Sequence, residues 1–144
     1  RRGFLKISTD TIKLRGKKEY CIMFIDLDKM KDINDQYGHD IGDRALILTA
    51  KILKQSFREG DIISRFGGDE FVVFISDVKD VMIEKIKERI ANNLNVVNTD
   101  KRNRFELSLS IGVAKHTSED KLTLNQIINN ADSDMYKIKV EKYK

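Results

Sequence analysis

Two runs rich in β-branched and aromatic residues, Asp61-Ile62-Ile63-Ser64 and Val72-Val73-Phe74-Ile75, flank the stretch Arg65-Phe66-Gly67-Gly68-Asp69-Glu70-Phe71. Runs of that composition fit the pleated surface of a sheet and read as strands. The glycine pair between them can take φ > 0, which a tight hairpin turn demands. The segment therefore predicts a β-hairpin with adjacent carboxylates, Asp69 and Glu70, at or beside its tip. Taken alone, a solvated hairpin with acidic residues for solubility explains it equally well.

A second acidic cluster changes that balance. Tyr20-Cys21-Ile22-Met23-Phe24-Ile25 is apolar without a break and runs into Asp26-Leu27-Asp28. Such a run predicts a strand buried on both faces. A carboxylate at the end of a buried strand is costly unless it is paired or binds a metal. If strand and hairpin are neighbours in one sheet, Asp26 and Asp69 converge. Mg²⁺ is commonly held by one or two carboxylates plus substrate phosphates. Two such ions about 3.5–4 Å apart form the clamp used in phosphoryl and nucleotidyl transfer.

Phe24-Ile25-Asp26-Leu27-Asp28, Lys31-Asp32-Ile33-Asn34-Asp35, Tyr37-Gly38-His39-Asp40 with Gly42-Asp43, Arg65 to Phe71, and Ser110-Ile111-Gly112-Val113-Ala114 resemble the diguanylate cyclase (GGDEF) domain family in order and spacing. The resemblance covers nearly the whole chain. It implies condensation of two GTP into cyclic di-GMP with Mg²⁺ or Mn²⁺, by a homodimer in which each domain binds one GTP. It implies metal held by Asp26, the backbone carbonyl of Leu27, Asp69 and Glu70. Glu70 is there a further metal ligand, or helps to deprotonate the attacking 3′-OH, so that Asp69 and Glu70 are the catalytic pair. The backbone amides of Lys29 and Met30 would hold phosphates, with Lys31 and Lys139 adding positive charge. Gly67 and Gly68 would let the backbone approach the ligand closely. Asn34 and Asp43 match the guanine readers, Arg58 and Asp61 the inhibitory product site, and Arg89 a second arm of it.

Bland readings stand beside several of these. Asn34 and Asp43 suit a turn and a helix N-terminus. An amide that donates and accepts, with a carboxylate that accepts from guanine N1–H and N2–H₂, also suits base recognition, because groups left unpaired penalise the wrong base. A helix end followed by a turn yields Arg58-x-x-Asp61 by chance, although Arg can hold phosphate bidentately. A calcium loop at Asp26 fails, because Met30 and Tyr37 stand at ligand positions. His39 reads as a loop histidine bonded to backbone, and His116 as lacking acidic or nucleophilic context. The chain departs from the family in three places. Met30 replaces an aromatic residue, Lys142 and Tyr143 follow Lys139 where a glycine-then-arginine tail is usual, and Arg1-Arg2-Gly3 stands where a Leu-Thr-Gly leader trails off. The last point suggests one GGDEF domain over 1–144, part of a longer multidomain signalling protein.

With 144 residues, 40% hydrophobic and 35% charged, the chain suits one domain with its own core. No apolar run reaches membrane-span length, and the start has no signal-peptide pattern, so the expected location is the cytoplasm or the cytoplasmic part of an anchored protein. Cys21 sits in the apolar run as a small core residue. The net charge of +4 suits an anionic ligand, but no basic block suggests a nucleic-acid arm.

The periodicity predicts a helix from Arg1 to Leu14 with Phe4, Leu5, Ile7 and Ile12 inward and Gly16 as its stop. A short helix follows over Lys29 to Tyr37. A longer one starts at Gly42 or Asp43 and runs to about Phe57, with Leu46, Ala50, Leu53 and Phe57 as its stripe, widened by Leu48 and Ile52. Val78 to Val97 forms a helix with Met82, Ile86, Ile90, Leu94 and Val97 on one face. Asn98 to Arg104 is a polar loop, and Phe105 to Ala114 alternates as a strand. Thr123 and Gln126 form a capping box and Leu122 and Ile127 a hydrophobic staple. The last helix turns Leu124, Ile127, Ile128, Ala131, Met135 and Ile138 inward. The β-α-β-β-α-β order predicts an α+β fold with a ferredoxin-like core, an antiparallel-containing central sheet flanked by helices, as in nucleotide cyclases and polymerase palms. The rival readings are a domain that binds cyclic di-GMP or GTP without chemistry, a purely dimerising domain, and another two-metal enzyme.

Overall fold

In a computed structural model, which describes residues 1–15 and 19–144, four strands and five helices follow in order. They are α1 Arg2–Arg15, β1 Tyr20–Leu27, α2 Met30–Tyr37, α3 His39–Ser56, β2 Ile62–Arg65, β3 Glu70–Ser76, α4 Asp80–Asn98, β4 Leu109–His116 and α5 Leu124–Lys142. Gly16, read as the stop of α1, lies outside the described residues. The strands form one sheet in the order β2-β3-β1-β4, with β3 antiparallel to both β1 and β2. That is the ferredoxin-like α+β arrangement which the element order predicts. The chain groups into two compact units, Arg1–Asp26 with Glu59–Lys79 and Ser110–Lys144, and Leu27–Arg58 with Asp80–Leu109.

In the first unit, register determines which residues share a face. Tyr20, Ile22, Phe24 and Asp26 pair with Ser76, Phe74, Val72 and Glu70. Side chains alternate across a strand, so this row faces one way. Its apolar members pack with Phe4 of α1 and Ile127, Ile128, Ala131 and Met135 of α5. The intervening Cys21, Met23 and Ile25 are also fully buried, as an unbroken apolar run requires. Thr123 caps α5: its side chain accepts from Gln126 N at 3.2 Å while Gln126 Oε1 accepts from Thr123 N at 2.8 Å. Leu122 of the expected staple remains 40% exposed. Gly112 of β4 is where α5 crosses closely: a Cβ there would run into the Ala131 carbonyl and the Met135 amide. Asp134 of α5 accepts from the Val113 amide at 2.8 Å, which satisfies a donor on β4.

Several expectations need correction. On α1, Ile7 is exposed and Ser8 is buried instead, because Ser8 stands one turn from Phe4. On α5, Ile138 lies outside the buried face. α3 begins at His39, four residues before Asp43, so His39 opens a helix and is not a loop residue. The break between α2 and α3 is Gly38, with φ 91° and its N–H bonded to Asn34 O. The buried stripe of α3 is Gly42, Ala45, Thr49, Ile52, Leu53 and Ser56, with Ala50 exposed. On α4 the buried residues are Ile83, Ile86 and Ile90. β4 starts four residues later than expected. Asn98 takes both backbone groups of Leu107, its Oδ1 accepting from Leu107 N and its Nδ2 donating to Leu107 O at 2.8 Å each, so no strand ladder can use them.

Candidate active site

The row that builds the core also delivers the carboxylates. Asp26 continues the Tyr20-Ile22-Phe24 series, and Glu70 is its partner across the β1–β3 ladder. Asp69 stands one residue before Glu70, in the turn joining β2 to β3. Phe66 N and Gly67 N both donate to Glu70 O, at 2.8 and 3.4 Å. Phe66 anchors the turn, with its ring edge-on to Phe4 at 5.3 Å and to Phe24 at 6.3 Å. Arg65 holds the turn from outside: its guanidinium donates to Gly68 O at 2.6 Å and to Gly67 O at 3.1 Å.

The two turn glycines serve differently from the expectation. Among the described glycines only Gly38 has a left-handed φ, so the turn does not demand it of Gly67 or Gly68. Gly67 is required for space: a Cβ would run into Oε1 of Glu70, with Cδ at 3.2 Å. At Gly68 a Cβ would meet nothing within 4 Å, which leaves an open approach to that backbone.

Lys139 on α5 reaches Asp26, Nζ to Oδ2 at 2.9 Å, with both side chains largely buried. The other oxygen, Asp26 Oδ1, is buried with no hydrogen-bond partner. Burial pushes the Asp26 carboxyl up to about 6; Asp69 and Glu70 add to the rise while Lys139 opposes it. Burial also raises Glu70, helped by Asp132 and Asp69 and opposed by Arg1 and Lys139. A buried orphan acceptor beside two more carboxylates fits a divalent cation. Among the described residues no group of three or more His, Cys, Asp or Glu side chains could hold a metal by itself. Mg²⁺ needs fewer, since one or two carboxylates suffice when phosphates complete the shell.

Of the remaining ligand residues all but Asp61 belong to the second unit. Leu27 is the last residue of β1. Lys29 follows in the left-handed region at φ 55°, ψ 36°, and Met30 opens α2, whose first amides have no side-chain cap. Amides at a helix start suit an anion. Lys31, in the first turn of α2, is exposed. Asn34 lies against Gly42 of α3, the residue before Asp43, and Asn34 Oδ1 is buried without a partner. Asp28 is buried and accepts from Ser108 Oγ at 2.8 Å, while its N–H donates to Ser108 O. Arg58 stands two residues beyond α3. Near it Arg89 of α4 donates to Ser56 O at 2.8 Å, and Asn93 donates to Ser56 Oγ at 2.9 Å. Asp61, half-buried, belongs to the first unit, just before β2.

Sequence reasoning missed Arg65, Asp132 and Gly42 as parts of these arrangements. Asp132 and Lys139 are seven residues apart on one helix and therefore share a face, a signal that was available. A glycine inside a helical pattern is another. His116 stacks its ring on Tyr20 at 4.6 Å and does have an acidic neighbour, Asp120, whose carboxyl is held below its usual range first by hydrogen bonds from Thr117 and last by His116.

The family model described as "Diguanylate cyclase, GGDEF domain" matches residues 1–144. A probable diguanylate cyclase of Escherichia coli K12, DgcT, is 33% identical over 126 residues, which is 85% of this chain and 28% of that protein. The chain thus spans under a third of the length of this curated relative. The diguanylate cyclase SiaD of Pseudomonas aeruginosa, solved with its activator SiaC, superposes with a TM-score of 0.86 at 26% identity, over 98% of this chain and 55% of that one. A microbial GGDEF domain solved with cyclic di-GMP gives 0.78 at 26% identity, over 98% of this chain and 85% of that one. No described helix is long and apolar enough to cross a membrane. On a match that runs from the first residue to the last, the chain belongs to the diguanylate cyclase GGDEF domain family.

Proposed function

We propose that this domain condenses two GTP into cyclic di-GMP and two pyrophosphates, with Asp26, Asp69 and Glu70 as its catalytic carboxylates. The observation that carries the reading is the unpartnered buried Oδ1 of Asp26 beside Glu70 and Asp69. Mg²⁺ or Mn²⁺ bound by these carboxylates and the Leu27 carbonyl would neutralise charge developing on the phosphates. Glu70, with its raised pKa, suits the acceptance of a proton from the attacking 3′-OH. The 3′ oxygen then bonds to the α-phosphorus of the second GTP, and the bond to pyrophosphate breaks. Lys139 exchanges Asp26 for the phosphates, and the amides of Lys29 and Met30, with Lys31, hold the phosphate tail. Asn34 and Asp43 read guanine, and Gly67 and Gly68 leave room for the nucleotide. Arg58, Asp61 and Arg89 are the residues that we assign to inhibitory product, on the family's pattern. Each domain supplies one GTP, so two copies must face each other. The use of GTP points to a cytoplasmic reaction.

The test is incubation of concentrated protein with GTP and Mg²⁺, with an Asp69→Ala control, and nucleotides separated by chromatography. Cyclic di-GMP from the natural sequence alone, at a turnover per molecule that rises with protein concentration, is the expected result. Failure to bind guanine nucleotide at all refutes it. Binding without product favours the alternative of a nucleotide-binding module. The tail supports that alternative: Lys142 stands over the Tyr143 ring at 5.9 Å, at the positions where the family carries its second phosphate clamp.

A further inference from the structure

Gly42 is buried in the second turn of α3. It has no left-handed φ, so its backbone does not call for glycine, and glycine inside a helix is less stable than alanine. What demands it is the neighbour: a Cβ would run into Asn34 Oδ1 and stand 2.9 Å from Asn34 Cγ and 3.0 Å from Met30 Cε. The missing methyl lets the Asn34 amide of α2 rest against α3 at the position just before Asp43. It rests there with Oδ1 buried and unbonded, an arrangement that costs stability unless a ligand donor completes it.

We propose that Gly42 is a positioning residue for base selection: by lacking a side chain it seats the Asn34 amide against α3, one residue before Asp43, so that the two can act together as acceptors for the donor edge of a purine. This rests on the reading of Asn34 and Asp43 as guanine contacts. A methyl at position 42 displaces the ends of two side chains, Asn34 and, by a few tenths of an ångström, Met30, and no backbone, so the fold survives it. What it removes is the choice of base; grip on the phosphates, shared by every nucleoside triphosphate, is untouched.

The experiment is calorimetric titration with the α,β-methylene analogues of GTP and ATP, which cannot release pyrophosphate, on four proteins: the natural sequence, Gly42→Ala, Asn34→Ala and the double variant. Gly42→Ala should weaken the GTP analogue by about ten- to a hundredfold, the range for leaving one buried group unpaired, and change the ATP analogue less than about twofold. In the Asn34→Ala background the same substitution should change the GTP analogue less than about twofold, because no amide remains to displace, and should raise the melting temperature. Equal weakening of GTP binding by Gly42→Ala in both backgrounds overturns the proposal, as does equal weakening of both analogues; either leaves the guanine reading standing. If Asn34→Ala retains the preference for the GTP analogue, both fall together.

Discussion

Gly112→Ala tests how α5 is seated and what it carries. The added Cβ would run into the Ala131 carbonyl oxygen and the Met135 amide nitrogen, and would lie 2.7 Å from Met135 Cα. All three are backbone atoms, so no rotamer change relieves the clash. Carbon atoms pack at roughly 3.5–4 Å, so α5 must retreat by about 1 Å. Overpacking of a core costs about 1–3 kcal/mol, and an obstacle made of backbone belongs at the upper end. At about 2–4 °C per kcal/mol for a chain near this length, the melting temperature should fall by about 6–12 °C. Lys139 lies one turn beyond Met135, so the retreat draws its amine away from Asp26, to which it bonds at 2.9 Å, and weakens that bond. Asp26 then loses part of the interaction that opposes its raised pKa. Thermal melts followed by circular dichroism give the first quantity, and the carboxyl chemical shift of Asp26 against pH gives the second. Gly68→Ala is the control, since its Cβ meets nothing within 4 Å. A fall of less than about 2 °C for Gly112→Ala, or one matched by Gly68→Ala, would refute the claim that α5 rests on the bare backbone of β4.

Ser8 is fully buried and its hydroxyl has no partner; Ser8→Ala should therefore stabilise the protein by about 1 kcal/mol, and a lower denaturation midpoint would show that the hydroxyl is bonded after all. Asp26 has a pKa raised from 3.8 to about 6, so the folded state binds the extra proton. Its contribution to stability is fully present below about 4 and is lost as pH rises through about 6. Asp26→Asn should flatten that part of the stability profile, and Mn²⁺ uptake with GTP, for which we propose Asp26 as a ligand, should rise more steeply between about pH 5 and 7 in the natural sequence than in the variant; equal pH profiles would contradict the assignment. Burial, aided by Asp120, pushes Tyr20 from 10.0 up to about 12. Its contribution holds below about 10 and disappears as pH rises through about 12. Tyr20→Phe should abolish that alkaline loss in urea melts, and an unchanged loss would place its cause elsewhere.

The parts of the fold that depend on local chemistry were legible. The apolar run of β1 and the capping box of α5 each carry their cause within a few residues. The inward face of α3 was not, because two of its buried positions are polar. Thr49 and Ser56 donate to the carbonyls four residues back, Ala45 O at 2.8 Å and Ile52 O at 2.6 Å. A hydroxyl satisfied within its own helix can be buried at little cost, so hydrophobicity points to Leu46 and Ala50 while packing selects their neighbours. The site was legible as residue types and illegible as pairings. The sequence suggested that Asp26 and Asp69 converge, and Asp69 does act on Asp26, but the residue opposite Asp26 across the ladder is Glu70, a pairing that only strand register decides. No spacing rule joins Asp26 to Lys139, 113 positions away.

That contrast also separates structural from functional polar burial. Asp28, Asn98 and Asp134 spend their side chains on other parts of the protein: a hydroxyl, an incipient strand and an edge amide. Asp26 and Asn34 each keep one buried oxygen unbonded. Burial without a partner is costly, and Ser8, Asn103 and His116 bear it too, so an orphan atom alone does not mark a site. Two features set Asp26 and Asn34 apart. Their residue types match the chemistry that the motif spacing requires, and a neighbour keeps the orphan atom in place, Lys139 on the second oxygen of Asp26 and the bare backbone of Gly42 beneath Asn34. An acceptor held open by its surroundings is ready for a ligand, which we propose is a cation in one case and a base edge in the other. Ser8 has no such support, which is why its removal should stabilise the fold, whereas the removal of Asp26 or Asn34 should be read in binding.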